Sequence, residues 1–429
     1  TIPTLSSPSL TLTADTVTVG NAHGLWLLSA MENSRHGGAY TSGKPRNSGN
    51  YDKVSQSTPG GVSDESGGGT QTNYYLWKHY SKTTDLPTSF KLVFTGDCKM
   101  TDFGNGFRGI GVSQGTFRAY LQDKTAYPLI TEIDGGHCTV TLAQNRTEPT
   151  GQYVDWAAMG VGLFPVLNAG QNMVIQNLNL TGTANLSVGD RANNITPVFH
   201  GGYQRTMVGA GMLAGALVNR QAGASITIQN VSASGSVVTN ALMAGGLIGY
   251  CGSPVTKIDG AGAAFGKPAS ITVKNSNVSG VTVKASSIFG GFIGFGYANT
   301  ITIEDCAATG ITLAATGPQN NGVYWNSANN QSVTNGVGGI IGTAYQAKLN
   351  IENINLSTLS LNNSSMDGNL RVGFGGIVGS LVASGDGSLS NITMEGTLQI
   401  LGTGHASIGG LIGLLTAAAS NNTQASLFG

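Results

Sequence analysis

The sequence predicts an all-β chain wound as a parallel β-helix, with three short strands per coil and a helical cap at the N-terminal end. Three observations lead there. A glycine-framed apolar kernel recurs along the chain, clearest as Gly245-Gly246-Leu247-Ile248-Gly249, Gly290-Gly291-Phe292-Ile293-Gly294, Gly338-Gly339-Ile340-Ile341-Gly342, Gly375-Gly376-Ile377-Val378-Gly379 and Gly409-Gly410-Leu411-Ile412-Gly413. After each kernel comes a strand of alternating pattern ending in Asn or Asp. The third observation is composition: 65 glycines and 10% charged residues, with 40% hydrophobic residues, describe a β-rich chain with a neutral polar surface.

Two weaker kernels, Gly162-Leu163-Phe164-Pro165 and Gly211-Met212-Leu213-Ala214, precede the five. Counted from Gly162, Gly211, Gly246, Gly291, Gly339, Gly376 and Gly410, the spacings are 49, 35, 45, 48, 37 and 34 residues. A constant kernel at irregular spacing means coils of one design joined by loops of free length. Glycine suits a coil corner because it accepts positive φ and lets the next coil's backbone approach closely. Registered stacking would place Leu247, Phe292, Ile340, Ile377 and Leu411 in one inward column. Ile248, Ile293, Ile341, Val378 and Ile412 would then face outward under loops.

The second element of each repeat reads Val174-Ile175-Gln176-Asn177, Thr227-Ile228-Gln229-Asn230, Thr272-Val273-Lys274-Asn275, Thr302-Ile303-Glu304-Asp305, Asn350-Ile351-Glu352-Asn353 and Leu389-Ser390-Asn391. Period-two alternation is the half-buried strand signal. Its polar end predicts a stacked ladder of Asn177, Asn230, Asn275, Asp305, Asn353 and Asn391 at one corner, with Asp305 at a solvated turn. A third strand follows a Ser/Thr-Gly turn, as in Gly280-Val281-Thr282-Val283.

Residues 1–89 form the cap region and residues 90–429 the coils. Within the cap, residues 21–31 place apolar side chains at helical spacing after a polar start, and a helix there would cover the open end of the stack. Residues 41–73 carry almost no apolar side chain and read as a long polar loop. Residues 90–97 and 129–140 supply the first strands, the latter as strand, Asp-Gly turn and strand.

Composition also excludes function classes. Lys plus Arg equals Asp plus Glu at 21 each, so no general attraction draws the chain to nucleic acid or an anionic membrane. The longest apolar stretch, residues 411–419, is too short for a membrane helix. A start at Thr1 without an apolar leader leads us to expect an exported protein whose signal has been removed. Cys98, Cys138, Cys251 and Cys306 include no Cys-x-x-Cys pair; either four isolated buried thiols or a Cys98–Cys138 disulfide fits.

The kernels resemble the Gly-Leu-hydrophobic-Gly signature of GLUG-motif repeat proteins, which are secreted bacterial surface proteins. Residues 133–140, Ile-Asp-Gly-Gly-His-Cys-Thr-Val, are similar to the segment that often precedes that family's first kernel. The resemblance covers about residues 90–429, departs at Pro165 and Ala214, and implies an extracellular, adhesin-like β-helix with no catalytic residues. The same motif occurs in the non-catalytic part of some bacterial metallopeptidases. None of the six histidines here begins a His-Glu-x-x-His zinc motif, so neither metal nor cofactor is expected.

The leading functional expectation is therefore a non-catalytic scaffold that binds a glycan or a host or bacterial surface protein. Its candidate contacts are aromatic rings in long loops: Tyr75 and Trp77 after the polar loop, Tyr324 and Trp325 in the Asn-rich insert 317–335. A third reading is a purely structural spacer, and the main alternative is a polysaccharide lyase or glycosidase. Such an enzyme needs facing carboxylates, or acids beside bases, on one sheet. The charge-richer N-terminal half offers Asp97, Asp102, Arg108, Arg118, Asp123, Lys124, Glu132, Asp134, Arg146, Glu148 and Asp155, whereas Arg371 is the single arginine after residue 224.

Overall fold

The structure, a computed structural model, describes residues 7–37, 87, 89–107, 109–110, 129–148, 160–188, 199–200, 203–204, 209–219, 223–241, 243–252, 267–316, 335–362, 372–395, 399–401 and 406–417. These residues are all-β apart from the α-helix Ala22–Gly37 and a 3-10 helix at Met100–Gly106. Each strand from Ser89 onward in the two large sheets pairs in parallel with the equivalent strand of the next repeat. The kernel strands Ala214–Asn219, Ile248–Cys251 and Ile293–Tyr297 run beside one another with Ala214, Ile248 and Ile293 in register, and the series continues through Ile341, Val378 and Ile412. The two weaker kernels join it: Phe164 pairs with Ala214, and the Leu163 amide donates to the Met212 carbonyl at 3.0 Å.

The alternating segments behave as their pattern requires. Ser225–Val238, Ser270–Lys274 and Thr300–Thr309 align Ile226, Ile271 and Ile301, then Ile228, Val273 and Ile303, all fully buried, while Thr227, Thr272 and Thr302 lie half-exposed on the other face. The residues at each strand's end turn the chain.

One strand per repeat was not foreseen. Gly160–Val161, Gly209–Ala210, Met243–Gly245, Ile288–Gly290, Asn335–Gly338, Val372–Gly375 and Ala406–Gly409 form a separate seven-stranded parallel sheet immediately before each kernel. Three strands per repeat therefore undercounts the architecture. The kernel is the bend between this sheet and the next strand, so the expected outward facing of Ile248, Ile293, Ile341 and Val378 is corrected. They are fully buried and share one core with Leu247, Phe292, Ile340 and Ile377. At a two-residue bend, inside-outside alternation is interrupted, and both apolar residues enter the interior.

Glycine makes that bend possible. A Cβ on Gly342 would stand 2.6 Å from the Gly294 carbonyl oxygen and 2.8 Å from the Phe289 amide nitrogen. The kernel strand of one repeat thus lies against the short strand of the repeat before it with room for no side chain. Gly246, Gly291 and Gly339 each admit the carbonyl oxygen of the next repeat's equivalent glycine into the space a Cβ would fill.

At the N-terminal end, Leu10–Leu12 pairs antiparallel with Thr16–Val19, which begins the parallel series through Ser89–Phe94 and Leu129–Asp134. The helix starts where its cap dictates: the Asn21 side chain accepts from the Gly24 amide at 2.8 Å. Leu25, Trp26 and Leu28 enter the main core, and Trp26 stacks on Phe103 with ring centroids 5.9 Å apart. At the opposite end, the large apolar residues exposed among the described ones are Met394, Ile408 and Leu411, in the last two repeats. No helix among the described residues is long and apolar enough to cross a membrane.

Candidate functional site

The polar corner is the most regular chemical feature. Asn177, Asn230, Asn275, Asp305, Asn353 and Asn391 all adopt the left-handed conformation, with φ between 48° and 57°. Asn tolerates it better than other residues with a Cβ because its short amide bonds locally. The Asn177 amide donates to Asp134 and the Asn230 amide to Asn177, both at 3.3 Å; Asn353 donates to Asp305 at 2.9 Å and Asn391 to Asn353 at 3.0 Å. Between these two runs no side-chain hydrogen bond joins Asn275 to Asn230 or Asp305, and Asn275 is held through its backbone amide on the Glu304 carbonyl at 3.2 Å. Each link elsewhere runs from an amide to the oxygen of the repeat before. Asp305 has no amide to donate, so the ladder breaks below it.

Those bonds set a prediction. Asn353→Leu removes two amide links and forces a γ-branched side chain into left-handed backbone, so it is expected to cost about 2 kcal/mol. Asn275→Leu loses only the conformational part, about 1 kcal/mol. Urea titration of both variants decides it; equal effects would mean that the links contribute nothing.

The acids offered as catalytic alternatives are built into turns and strands. Asp97 accepts from the Thr139 amide at 2.8 Å, and Asp134 from the Gly136 amide at 3.1 Å. Glu132 pairs with Lys91 at 2.9 Å and accepts from Gln176 at 3.3 Å. Asp102 lies exposed in the 3-10 helix. Arg108, Arg118, Asp123, Lys124 and Asp155 lie outside the described residues, as do the side chains of Arg146 and Glu148. No group of three or more His, Cys, Asp or Glu residues placed to hold a metal occurs among the described residues.

Cys98, Cys138, Cys251 and Cys306 are free buried thiols, with no Cys98–Cys138 disulfide. Burial pushes Cys98 up to about 12, helped by the neighbouring Cys138 and Asp97 charges, and Cys306 up to about 11. Burial raises Cys251 and Cys138 as well. A thiol that stays protonated at neutral pH is a poor nucleophile.

The predicted ring contacts Tyr75, Trp77, Tyr324 and Trp325 lie outside the described residues. A different aromatic group is described, at the corner after the kernel strands. Tyr297 and Tyr345 pair in register on neighbouring strands, ring centroids 6.0 Å apart, and Phe295 stacks on Tyr345 at 6.1 Å. The Lys267 ammonium sits 4.7 Å from the centre of the Tyr297 ring and donates to the Gln346 carbonyl at 2.8 Å. Burial lowers the Lys267 pKa and raises those of Tyr297 and Tyr345. A sequence signal for the tyrosines existed: each stands four residues after its kernel's second apolar residue, Ile293 or Ile341. Lys267 has no such register, because it arrives from the loop preceding Ser270–Lys274.

No family model matches this chain, and no curated protein matches it. A solved structure from Bacteroides ovatus, provisionally assigned as an immunoglobulin A1 protease, shares 19% identity over 73% of this chain and 71% of that one, at a TM-score of 0.42. A likeness at that level brings no activity with it.

Proposed function

We propose that the chain is a parallel β-helix of GLUG-type repeats and works as an exported bacterial surface scaffold that binds a glycan or a surface protein without cutting it. Supporting the architecture are the parallel, registered pairing of successive repeats and a core running from Val17 to Leu381. The observation that carries the non-catalytic reading is the engagement of three of the four described N-terminal candidate acids, Asp102 being the exposed exception. Asp97, Asp134 and Glu132 each hold a backbone amide, an amide side chain or Lys91, where a glycosidase or lyase would keep carboxylates aimed at substrate.

Outward positions of the parallel strands carry Thr and Gln interspersed with single charges such as Lys274, Glu304 and Glu352, which suits recognition by hydrogen bonding. The test has two arms. The purified chain is expected to retain specific glycans or proteins on an array, and to release no reducing sugar from any polysaccharide it retains. Release of oligosaccharide that disappears in Asp102→Asn or Glu132→Gln would overturn the binding-only reading.

A further inference from the structure

We propose that the corner formed by Lys267, Tyr297, Tyr345 and Gln346 is a subsite for the carboxylate of an acidic sugar; the proposal rests on the glycan-binding reading above and narrows it to a charge class. Three independent features converge there. The first is an ammonium without a counter-charge among the described residues. Lys267 is half-buried, and its polar contacts there are the Gln346 carbonyl at 2.8 Å and the Tyr297 ring at 4.7 Å, with no described carboxylate paired to it. An ammonium has three N–H donors; one is bound to the carbonyl and one face rests on the ring, so a donor is left for a ligand. Removing a cation from water without an acid beside it is costly, which is why the lowered Lys267 pKa has burial as its cause.

The second feature is the backbone at Gln346. Ile341–Ser357 and Val378–Ala383 pair in register through Tyr345 and Val382, then slip so that Ala347 meets Ala383, leaving Gln346 as an extra residue. Gln346 is left-handed at φ 47°, a conformation that glycine or asparagine would adopt at less cost. The bulge turns the Gln346 carbonyl onto Lys267 and carries the side-chain amide to the Tyr345 hydroxyl at 3.4 Å. Bulges of this kind re-aim groups at binding sites. The third feature is the pair of tyrosines: Tyr297 is half-exposed and offers ring surface beside the cation, and the buried Tyr345 packs against it in register.

The ligand class follows from charge and shape. One ammonium neutralises one carboxylate, whereas a phosphate dianion would leave charge uncompensated, since among the described residues Lys267 is the one cation placed at this corner. Tyrosine rings and hydroxyls suit the C–H face and hydroxyls of a sugar. The carboxylate would take the free Lys267 N–H, and the sugar ring would lie along Tyr297 toward Gln346.

The test uses trigalacturonate and sialyllactose, with fully methyl-esterified trigalacturonate and lactose as their neutral counterparts, in calorimetric titrations of the whole chain. At least one acidic probe is expected to bind about tenfold or more tightly than its neutral counterpart, the difference a charge-assisted hydrogen bond makes. Lys267→Gln should erase that preference and Lys267→Arg should keep part of it. Equal binding of acidic and neutral probes, binding of neither acidic probe, or a preference that survives Lys267→Gln would overturn the subsite. A chain that fails here yet retains neutral glycans or proteins on an array keeps the scaffold reading; one that retains nothing loses that too. Should Lys267→Gln lower the melting temperature, nitrogen-labelled lysine signals of the unaltered chain carry the test. The Lys267 signal is expected to move first with acidic probe, and its staying fixed would overturn the assignment.

Discussion

Gly342→Ala is expected to destabilise the chain by about 3 kcal/mol or more, in a molecule where Gly385→Ala changes stability by less than about 1 kcal/mol. The two substitutions add the same methyl group. At Gly342 that group would meet the Gly294 carbonyl oxygen at 2.6 Å and both the nitrogen and oxygen of Phe289 at 2.8 Å, atoms of two different sheets. Backbone cannot rotate aside as a side chain can, so the kernel strand and the short strand facing it must separate. Separation would loosen the contacts of Ile341 and Phe289, both fully buried. At Gly385 nothing lies within 4 Å and φ is not left-handed, so alanine there only reduces the freedom of the unfolded chain. Urea unfolding of the two variants gives the comparison. Equal stability would mean that the two sheets have slack at the kernel and that its glycines serve some purpose other than close approach.

The same glycines explain what could be read from the sequence and what could not. The kernel announced itself because close backbone approach accepts only one residue type, and the demand recurs at every repeat. Alternating segments such as Thr272-Val273-Lys274 were legible because one face is buried and the other wet. The Asn corner was legible because left-handed backbone narrows the choice of residue. The short strands Met243–Gly245 and Ile288–Gly290 were not: three residues ending in glycine are too few to show an alternating period, and their pairing comes from the stack itself. Without them the kernel read as the middle of a strand, and alternation then placed Ile248 and Ile293 on the wrong side. The Lys267 corner was illegible for a related reason. Its members come from three repeats, the tyrosines meeting through register and Lys267 arriving from a loop, whereas the aromatic clusters Tyr74–Tyr80 and Tyr324-Trp325 are contiguous in sequence.

Phe292→Ala carries the other large expected effect, a loss of about 3 to 5 kcal/mol, because it empties the centre of a continuous column. Phe292 is fully buried and lies between Leu247 and Ile340, its amide bonded to the Ile340 carbonyl at 2.9 Å and its carbonyl to the Leu247 amide at 3.0 Å. Those backbone bonds hold the repeats at fixed spacing, so neither neighbour can collapse far into the cavity. Leu411 occupies the same kernel position in the last repeat but is 41% exposed, and Leu411→Ala should cost less than about 1 kcal/mol. The contrast isolates stacking from residue type: both positions are large, apolar and flanked by the same glycines, and among the described residues they differ in having a repeat on both sides or on one. If stability passes from repeat to repeat through this column, losing Phe292 weakens two interfaces at once, and the urea midpoint falls for the whole chain. A Phe292→Ala midpoint no lower than that of Leu411→Ala would mean that the kernels are held by their own sheets, with the apolar column contributing little.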